Sequence, residues 1–511
     1  MPASPPAIDS SLPRLGFVTS KARVHAADLP LEQDGVTFQN WAQTFTCKPE
    51  RFFRPRNTTQ VIEIVKKAAS HGRHVTVVGA GHSPGDIACT DDYMVSLDLL
   101  SNLLHIEKSL KRVKVQAGMR LYQLHHHLES HGLGMSNLGS ISEQSIGGFL
   151  ATATHGSSLN HSILSQLVVS ITIVLADGTV SVCSESNNQR LFRAALVSLG
   201  AIGIIVDVTF QVSTAFDVKS SKSIVNFDKM LNMWGHDKLW QSAEFVRVWW
   251  FPYSKKTVVW QGHRIEADSL PHATTSSWYK GTFWAYHLQQ ALLYAGRFVP
   301  SAGPSIERAV FTNQYGSQEG EIAQSIERSY VSLNMNCLFS QYVNEWSIPL
   351  ENGIEACRRL DLWLAGNEKE SGIPYSSKGI FVHAPIEIRV AGSYDDDAWL
   401  STAWGGPTCY IGVIMYKPFY QPVPYRRYFE AYEYLMKSLG GRPHWAKQHS
   451  MSQRDLLARY PKLQEWLQLR SEVDPRGMFT TEYHKRHLLS QESDNLGVYS
   501  GMAGRHFKAR L

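Results

Sequence analysis

A glycine-rich loop follows a short β-branched run at residues 74–78. Its residues are Gly79, Ala80, Gly81, His82, Ser83 and Pro84. Glycines in such a loop let backbone N–H groups approach a phosphate closely, because no Cβ atom stands in the way. An NAD-type fingerprint would need a third glycine at Pro84 followed by a helix, and the sequence GDIACTDDY that follows is not helical. The loop therefore predicts either a phosphate-binding loop of another class or a turn that binds no ligand.

A second stretch of small residues runs from Gly139 to Ser158. It carries four glycines among serines and threonines, and neither helical nor strand periodicity explains that composition. A loop of this kind offers many backbone donors and little bulk, which suits a large, flat ligand that bears phosphate. The stretch therefore predicts a second ligand-binding loop.

Two charged residues, Glu387 and Arg389, stand two positions apart in a stretch that alternates polar and apolar residues. On a β-strand both side chains would project to the same face, which a shared pocket requires. A cation such as Arg389 or Lys447 could stabilise negative charge that develops in a transition state. An ordinary surface ion pair and a solvated lysine would show the same pattern, and that alternative stays open.

Histidine is frequent in this chain, with 21 among 511 residues. His155 is either a ligand contact or a buried histidine with satisfied hydrogen bonds. His127 and His131 are one helical turn apart and follow two further histidines, which invites a metal hypothesis. The surrounding sequence LYQLHHHLESHG is typical of an amphipathic helix, on which adjacent histidines point in different directions. We therefore predict a solvated helix face there and no metal site.

The elements that must position these residues alternate between helix and strand in the first two hundred residues. Asn57, Gln60 and Gly72 predict a capped amphipathic helix between them. Further strands are predicted at 74–78, 168–175, 179–183 and 202–212, and a helix at 191–199. The first domain is therefore predicted to be α/β.

After residue 216 the chain changes to longer, aromatic-rich strands. They are predicted at 244–250, 257–261, 341–346, 380–390 and 410–415. Several alternate polar and apolar residues, as expected for a sheet with one buried face, and residues 456–469 are helical again. We predict a flexible leader at 1–34, domains at 35–215 and 216–440, and a segment at 441–511 that packs back on the first domain.

The composition excludes several classes of protein. With 43% hydrophobic residues the chain has room for a large buried core. Fifty Lys and Arg against forty-five Asp and Glu leave a formal charge of +5, and without a long basic run no nucleic-acid binding is expected. Six scattered cysteines predict reduced, buried thiols in an intracellular protein.

Two segments bear on targeting and membranes. The first thirty residues lack the apolar core of a secretory signal, so the leader is not predicted to direct secretion. Residues 281–296 carry no charge, but they are fewer than the roughly 20 apolar residues that a spanning helix needs. This stretch predicts attachment to a membrane surface or plain burial.

These motifs together resemble the vanillyl-alcohol oxidase family and, within it, the sugar-1,4-lactone oxidases. The stretch VVGAGHSPGDIACTDDYMVSLD is similar to the first FAD loop of that group. RPHWAK at 442–447 resembles its H-W-A-K signature, and PIEIR at 385–389 resembles the strand that lines its substrate pocket. The resemblance implies an α+β, two-domain PCMH-type FAD-binding fold, with an α/β FAD domain and a cap whose large antiparallel sheet is flanked by helices.

The resemblance also implies roles for individual residues. His82 takes the position of a histidine bonded covalently to FAD as an 8α-histidyl link. Lys447, Glu387 and Arg389 take catalytic positions, with Glu387 orienting substrate hydroxyls and holding Arg389. No metal is implied. The other implied flavin contacts are Gly79, Ala80, Gly81, Ser83, Pro84, Gly139, Ser140, Ser145, Gly147, Gly148, Thr152, Thr154, His155, Gly156, Ser157, Ile205 and His444.

The implied activity is FAD-dependent oxidation of an aldono-1,4-lactone, with D-arabinono-1,4-lactone first, to an ascorbate-like enediol, while oxygen is reduced to hydrogen peroxide. The implied partners are the sugar lactone and oxygen, with peripheral attachment to the mitochondrial outer membrane, or a cytoplasmic location, and no obligate protein partner. Three alternatives stay open. They are an alditol or sugar oxidase, a lactone dehydrogenase that uses an electron-carrier protein, and a flavin-binding module without catalysis.

Overall fold

The computed structural model describes residues 29–267, 283–335, 339–393 and 398–489. Most of the predicted leader therefore lies outside the described residues, as do Cys337, the end of the C-terminal segment and the first two residues of the stretch 281–296. The other five cysteines are free and buried, in agreement with the sequence-based prediction.

The N-terminal half is built from short strands and helices. The strands are β1 (Glu32–Gln33), β2 (Phe38–Gln39), β3 (Thr46–Cys47), β4 (Arg51–Phe53), β5 (Val75–Val78), β6 (Tyr93–Ser96), β7 (Leu103–Glu107), β8 (Arg112–Gln116), β9 (Leu133–Gly134), β10 (Val168–Val174), β11 (Val180–Ser184), β12 (Ile204–Gln211) and β13 (Ser213–Thr214). The helices are α1 (Thr58–His71), α2 (Leu121–Glu129), α3 (Ile146–Ala151) and α4 (Gln189–Ala195).

The predicted caps of α1 are present. The Asn57 side chain accepts a hydrogen bond from the backbone N–H of Gln60 at 2.9 Å. Gly72 ends the helix with φ of +63°, in the left-handed region that glycine adopts without strain. The helix therefore feeds β5, and β5 leads directly into the first glycine loop.

Two main sheets form this half within the described residues. A four-stranded sheet has the order β1-β4-β6-β5, in which β6 pairs in parallel with both β4 and β5. A five-stranded antiparallel sheet has the order β11-β10-β12-β8-β7. This arrangement confirms the predicted α/β character of the first domain.

The C-terminal half has longer strands. They are β14 (Phe216–Asn226), β15 (Phe245–Phe251), β16 (Lys256–Glu266), β17 (Gly320–Arg328), β18 (Gln341–Pro349), β19 (Ile386–Ala391), β20 (Thr408–Tyr416) and β21 (Arg442–Pro443). The helices are α5 (Phe227–Gly235), α6 (Phe283–Gly296), α7 (Gly303–Tyr315), α8 (Ser329–Leu333), α9 (Gly353–Leu364), α10 (Glu368–Ser371), α11 (Arg426–Ser438), α12 (Gln453–Leu457), α13 (Leu463–Val473) and α14 (Glu482–His484). A π-helical turn follows at Lys485–Leu489.

These eight described strands form one antiparallel sheet in the order β17-β14-β16-β15-β19-β20-β18-β21. Its register aligns the residues that matter for chemistry, because Gly412 on β20 faces Glu387 on one side and Glu345 on the other. Arg389 faces Tyr410 on the same neighbouring strand. The predicted large antiparallel sheet of the cap is confirmed.

Several predicted elements were wrong in extent. The helix predicted at 191–199 is α4, which ends at Ala195, and the strand predicted at 257–261 continues to Glu266. Prolines explain two further differences. The strand predicted at 380–390 begins only at Ile386, because Pro385 has no N–H group to donate to a neighbouring strand. The helix predicted at 456–469 is two helices, α12 and α13, on either side of Pro461. A proline inside a helix removes a hydrogen bond and clashes with the preceding turn.

The chain returns to the first half after building the cap. Trp466 on α13 donates from Nε1 to the backbone oxygen of Ala194 in α4 at 3.3 Å. His484 bonds through Nε2 to the backbone oxygen of Leu199 at 3.0 Å. None of the described helices combines the length and apolar character needed to cross a membrane.

Candidate active site

A cleft between the two halves contains most of the predicted site residues. The space between its walls, counted out to its open mouth, is about 1310 Å³. The predicted residues that line the cleft are Gly79, Ala80, Gly81, His82, Ser83, Ser140, Ser145, Gly147, Gly148, Thr152, Thr154, His155, Ile205, Arg389, His444 and Lys447.

The two glycine loops touch each other and form one wall. The backbone N–H of Ala80 donates to Ser145 Oγ at 3.2 Å. A Cβ atom added at Gly79 would stand 1.8 Å from Ser145 Oγ, and one at Gly148 would stand 2.9 Å from it. The close approach of the two loops therefore requires glycine at position 79, and a loop of this composition suits a ligand that bears phosphate.

His82 lies in the first loop beside the ring of Trp41, with ring centroids 5.5 Å apart and nearly parallel planes. Burial, with a smaller effect from the charges of Arg120 and Lys447, lowers the pKa of His82 to about 4. Within the described residues its Nδ1 atom is buried and has no hydrogen-bond partner. His82 is therefore a neutral imidazole in the wall of the cleft.

Glu345 lies at the centre of the cleft, although the sequence did not single it out. Its Oε1 accepts a hydrogen bond from Arg389 Nη2 at 2.5 Å and lies 3.4 Å from His155 Nε2. Its Oε2 lies 3.7 Å from Lys447 Nζ. Burial acts to raise the pKa of Glu345, but the charges of Arg389 and Lys447 hold it well below its usual range. Glu345 is therefore an ionised carboxylate in a buried position.

Arg389 is shared between two carboxylates and the second glycine loop. Its Nη1 donates to Ser140 Oγ at 3.2 Å, and its Nε lies 3.5 Å from Glu387 Oε2. Burial acts to lower the pKa of Arg389, whereas Glu387 and Glu345 raise it. The predicted contact between Glu387 and Arg389 exists, but the shorter bond comes from Glu345 on another strand.

His155 stacks on Tyr410, with ring centroids 3.4 Å apart. Its Nδ1 donates to the backbone oxygen of Gly156 at 3.0 Å, because a carbonyl group can only accept. Burial and the charge of Arg389 lower the pKa of His155 to about 4, against the opposite effect of Glu345. In the neutral ring Nε2 carries the lone pair, and this nitrogen faces Glu345.

His155, Glu345 and His444 offer ligand atoms that all lie within 4.8 Å of one another, a spacing that could hold a metal ion. Arg389 and Lys447 already contact the same carboxylate, and their charges would repel a further cation. We assign these residues no metal role. The histidines predicted on a solvated helix face do lie on a helix, α2, but only His126 is exposed and His125 is buried, so the prediction holds in part.

Five predicted residues lie outside the lining of the cleft: Pro84, Gly139, Gly156, Ser157 and Glu387. A Cβ atom at Gly156 would stand 2.0 Å from Asn137 Oδ1, and one at Gly139 would stand 2.6 Å from Thr154 Cγ2. Ser157 Oγ donates to the backbone oxygen of Val246 and so joins the second loop to the cap. Gly139, Gly156 and Ser157 therefore pack behind the residues that line the cleft and support them.

Three further residues line the cleft although no sequence motif predicted them: Glu345, Thr481 and His484. They lie in separate segments of the chain, and the residues around each of them form no recognisable ligand-binding pattern.

Comparison with known proteins places these features in a family. A family model described as D-arabinono-1,4-lactone oxidase matches residues 208–487, and one described as FAD binding domain matches residues 49–184. A Neurospora crassa relative is 39% identical over 94% of this chain and 92% of its own. A D-arabinono-1,4-lactone oxidase of Candida glabrata is 36% identical over 80% of this chain and 84% of its own, and an L-gulonolactone oxidase of Scyliorhinus torazame is 35% identical over 88% and 97%.

Solved structures share the fold at low sequence identity. Cholesterol oxidase from Brevibacterium sterolicum superposes with a TM-score of 0.73 at 17% identity, covering 89% of this chain and 96% of the other. Xylooligosaccharide oxidase from Myceliophthora thermophila gives 0.62 at 14% identity, covering 87% and 93%. These likenesses confirm the predicted two-domain fold class.

Proposed function

The chain belongs to the D-arabinono-1,4-lactone oxidase family, and we propose that it is an FAD-dependent oxidase of aldono-1,4-lactones, with D-arabinono-1,4-lactone as the first candidate substrate. The observation that carries the proposal is the buried cluster of Glu345, Arg389 and Lys447 that faces the glycine-lined cleft. The product is the ascorbate-type enediol, dehydro-D-arabinono-1,4-lactone, and oxygen is reduced to hydrogen peroxide.

The roles of the residues follow from their charges. When bound, FAD accepts the hydride that leaves the carbon bearing the oxidised hydroxyl group. Arg389 and Lys447 stabilise the negative charge that develops on the substrate oxygen, and they do so strongly because the site is buried. Nε2 of neutral His155 is a proton acceptor beside them, and Glu345 holds Arg389 and Lys447 in place. The two glycine loops hold the cofactor phosphates.

The proposal is tested by oxygen consumption and peroxide release over a panel of five- and six-carbon aldonolactones, alditols and open-chain sugars. We expect the lactones to give the highest kcat/KM and one peroxide for each oxygen consumed. A preference for alditols would identify a sugar oxidase on the same fold. Lactone-dependent dye reduction without oxygen consumption would identify a dehydrogenase, and no turnover on any compound would leave a binding module.

We propose that FAD is tethered covalently through His82. The neutral ring and the unpartnered, buried Nδ1 support this assignment. Attachment of the imidazole nitrogen at the flavin 8α carbon would remove two electrons and two protons, which oxygen would take up as hydrogen peroxide. The denatured protein should remain yellow and fluoresce on a gel, and His82→Ala should release all of its FAD. The control His126→Ala changes an exposed histidine, and free release of FAD from the wild type would falsify the tether.

We propose that the protein attaches peripherally to a membrane, with the mitochondrial outer membrane as the first candidate and a cytoplasmic location as the alternative. Large apolar side chains are exposed on α6 and just after it, including Leu288 at 62% and Phe298 at 72%. Phe419 and Tyr420 extend this surface, and their φ values of +50° and +61° lie in a region that non-glycine residues avoid. Exposed apolar side chains grouped in this way are typical of interaction surfaces.

Cell fractionation tests the attachment. We expect the wild type in a membrane pellet from which detergent releases it, and the double variant Leu288→Glu, Phe298→Glu in the supernatant. Leu104→Glu is the matched control, because Leu104 is also an exposed leucine, at 45%, on β7 in the first half. A native enzyme found wholly in the supernatant would exclude the attachment.

A further inference from the structure

The loop that carries His82 has no regular secondary structure and is held by side chains from outside it. From the N-terminal side, the Asn40 side chain donates to the backbone oxygen of Ser83 at 3.0 Å. Thr44 Oγ1 donates to the backbone oxygen of Pro84 at 2.8 Å. These two bonds fix the middle of the loop.

The end of the loop is held by residues from the far end of the described chain. The backbone N–H of Gly85 donates to the backbone oxygen of Ala446 at 3.1 Å, next to Lys447. Arg486 Nη2 donates to both carboxylate oxygens of Asp86, at 2.8 and 2.9 Å. Asp86 is only 6% exposed, so Arg486 is the partner that compensates for its burial.

Arg486 is itself fixed in position. Its Nε bonds to His487 Nε2 at 3.0 Å, and His487 Nδ1 bonds to the backbone oxygen of Met451 at 2.8 Å. Both residues lie in the π-helical turn Lys485–Leu489, and such turns are rare and occur frequently at functional sites. Thr481 and His484, just before this turn, line the cofactor cleft.

We propose that Arg486 is a positioning residue, which through Asp86 fixes the His82 loop against the C-terminal segment 481–488, and that this segment closes the cofactor pocket. The same contacts set the position of His82 relative to Lys447, because Gly85 bonds to Ala446. This inference rests on the proposed tether through His82. Forming that bond requires the imidazole nitrogen to lie in near-attack geometry, and a displacement of about 1 Å can slow such a reaction on the order of 100-fold.

The experiment measures how fast covalently bound flavin accumulates per chain, in samples of the full-length protein that are taken at intervals after its synthesis and denatured. We expect Arg486→Met and Asp86→Asn each to lower the rate of flavin attachment about tenfold, and Arg486→Lys to lower it less. The double variant should be no worse than either single variant, because the two residues act as one pair. Lys485→Met is the matched control, since Lys485 is the sequence neighbour and forms an exposed ion pair with Glu482 at 2.8 Å.

The outcomes separate the pair from a general loss of folding. Thermal unfolding identifies folded variants, and Arg486→Lys keeps the charge if Arg486→Met does not fold. Wild-type attachment rates in folded Arg486→Met, or additive losses in the double variant, would overturn the inference. If the wild type holds no covalent flavin, the proposed bond between His82 and FAD is rejected. The role of the Asp86–Arg486 pair is then tested by the amount of FAD that the protein retains on gel filtration. Equal retention in wild type and Arg486→Met would then overturn it.

Discussion

Replacement of Lys447 by methionine is expected to leave FAD bound and to slow reduction of the flavin by the lactone about 10²- to 10³-fold. Lys447 lines the cleft, and its Nζ lies 3.7 Å from the ionised Glu345. It therefore supplies a fixed positive charge where negative charge develops on the substrate. Methionine keeps much of the side-chain volume and removes the charge, so the loss falls on the chemical step. Anaerobic stopped-flow reduction measures that step directly.

Lys437→Met is the matched control for this substitution. Lys437 Nζ also lies 3.7 Å from a buried glutamate, Glu433, but Lys437 does not line the cleft. We expect its reduction rate to equal that of the wild type. Equal rates in the Lys447 and Lys437 variants would remove Lys447 from the chemistry, and loss of flavin from Lys447→Met would give it a binding role instead.

Mild acid is expected to unfold the protein between about pH 6.5 and pH 4. Burial lowers the pKa of four histidines to about 4: His125, His155, His383 and His484. Burial also lowers the pKa of His444, His449 and His487 well below the usual value. These rings are neutral in the folded protein and take up protons at higher pH once the chain unfolds.

The sign of this effect follows from proton linkage. Between pH 6.5 and pH 4 the unfolded chain binds more protons than the folded one, so stability is complete above pH 6.5 and falls as the pH drops. One pKa unit corresponds to about 1.4 kcal/mol, so even half of the shift at four rings removes several kcal/mol. That loss is comparable with the whole free energy of unfolding of a domain, about 5–15 kcal/mol. Glu345, whose pKa is also lowered, adds its own loss only at more acidic pH.

Denaturant unfolding at pH 7, 6 and 5 measures the predicted loss. The midpoint should fall at each step, and His383→Leu should flatten the slope by about one proton. His126→Leu, which changes an exposed ring on α2, should leave the slope unchanged. A midpoint that stays constant from pH 7 to pH 5 would contradict the prediction.

Much of the fold could be predicted because its signals are local. The caps of α1 and the alternation of the cap strands need only a few neighbouring residues. The glycines of the two loops could also be found, because a close approach of backbone segments requires small residues and so enriches the local sequence in glycine. The predicted boundaries of two elements were wrong because a proline interrupts a longer periodic pattern, at Pro385 in a predicted strand and at Pro461 in a predicted helix.

The centre of the site could not be predicted in the same way. Glu345 lies 44 positions from Arg389 along the chain and meets it only because β18, β20 and β19 are neighbours in the sheet. A single glutamate in an alternating strand is typical of a solvent-facing position, and nothing local marks it as buried. The pairing of strands decides which carboxylate holds Arg389, and that pairing is a property of the whole sheet.

The bond between Asp86 and Arg486 joins residues that are 400 positions apart. A ribosome that adds about 5–20 residues per second needs on the order of 20 to 80 seconds to make the chain between them. The first half emerges early with both glycine loops, while the wall that carries Thr481 and His484 does not yet exist. FAD can enter during this interval without passing a closed wall. If covalent attachment depends on the segment 481–488, only chains whose translation has continued past Arg486 would bind FAD covalently.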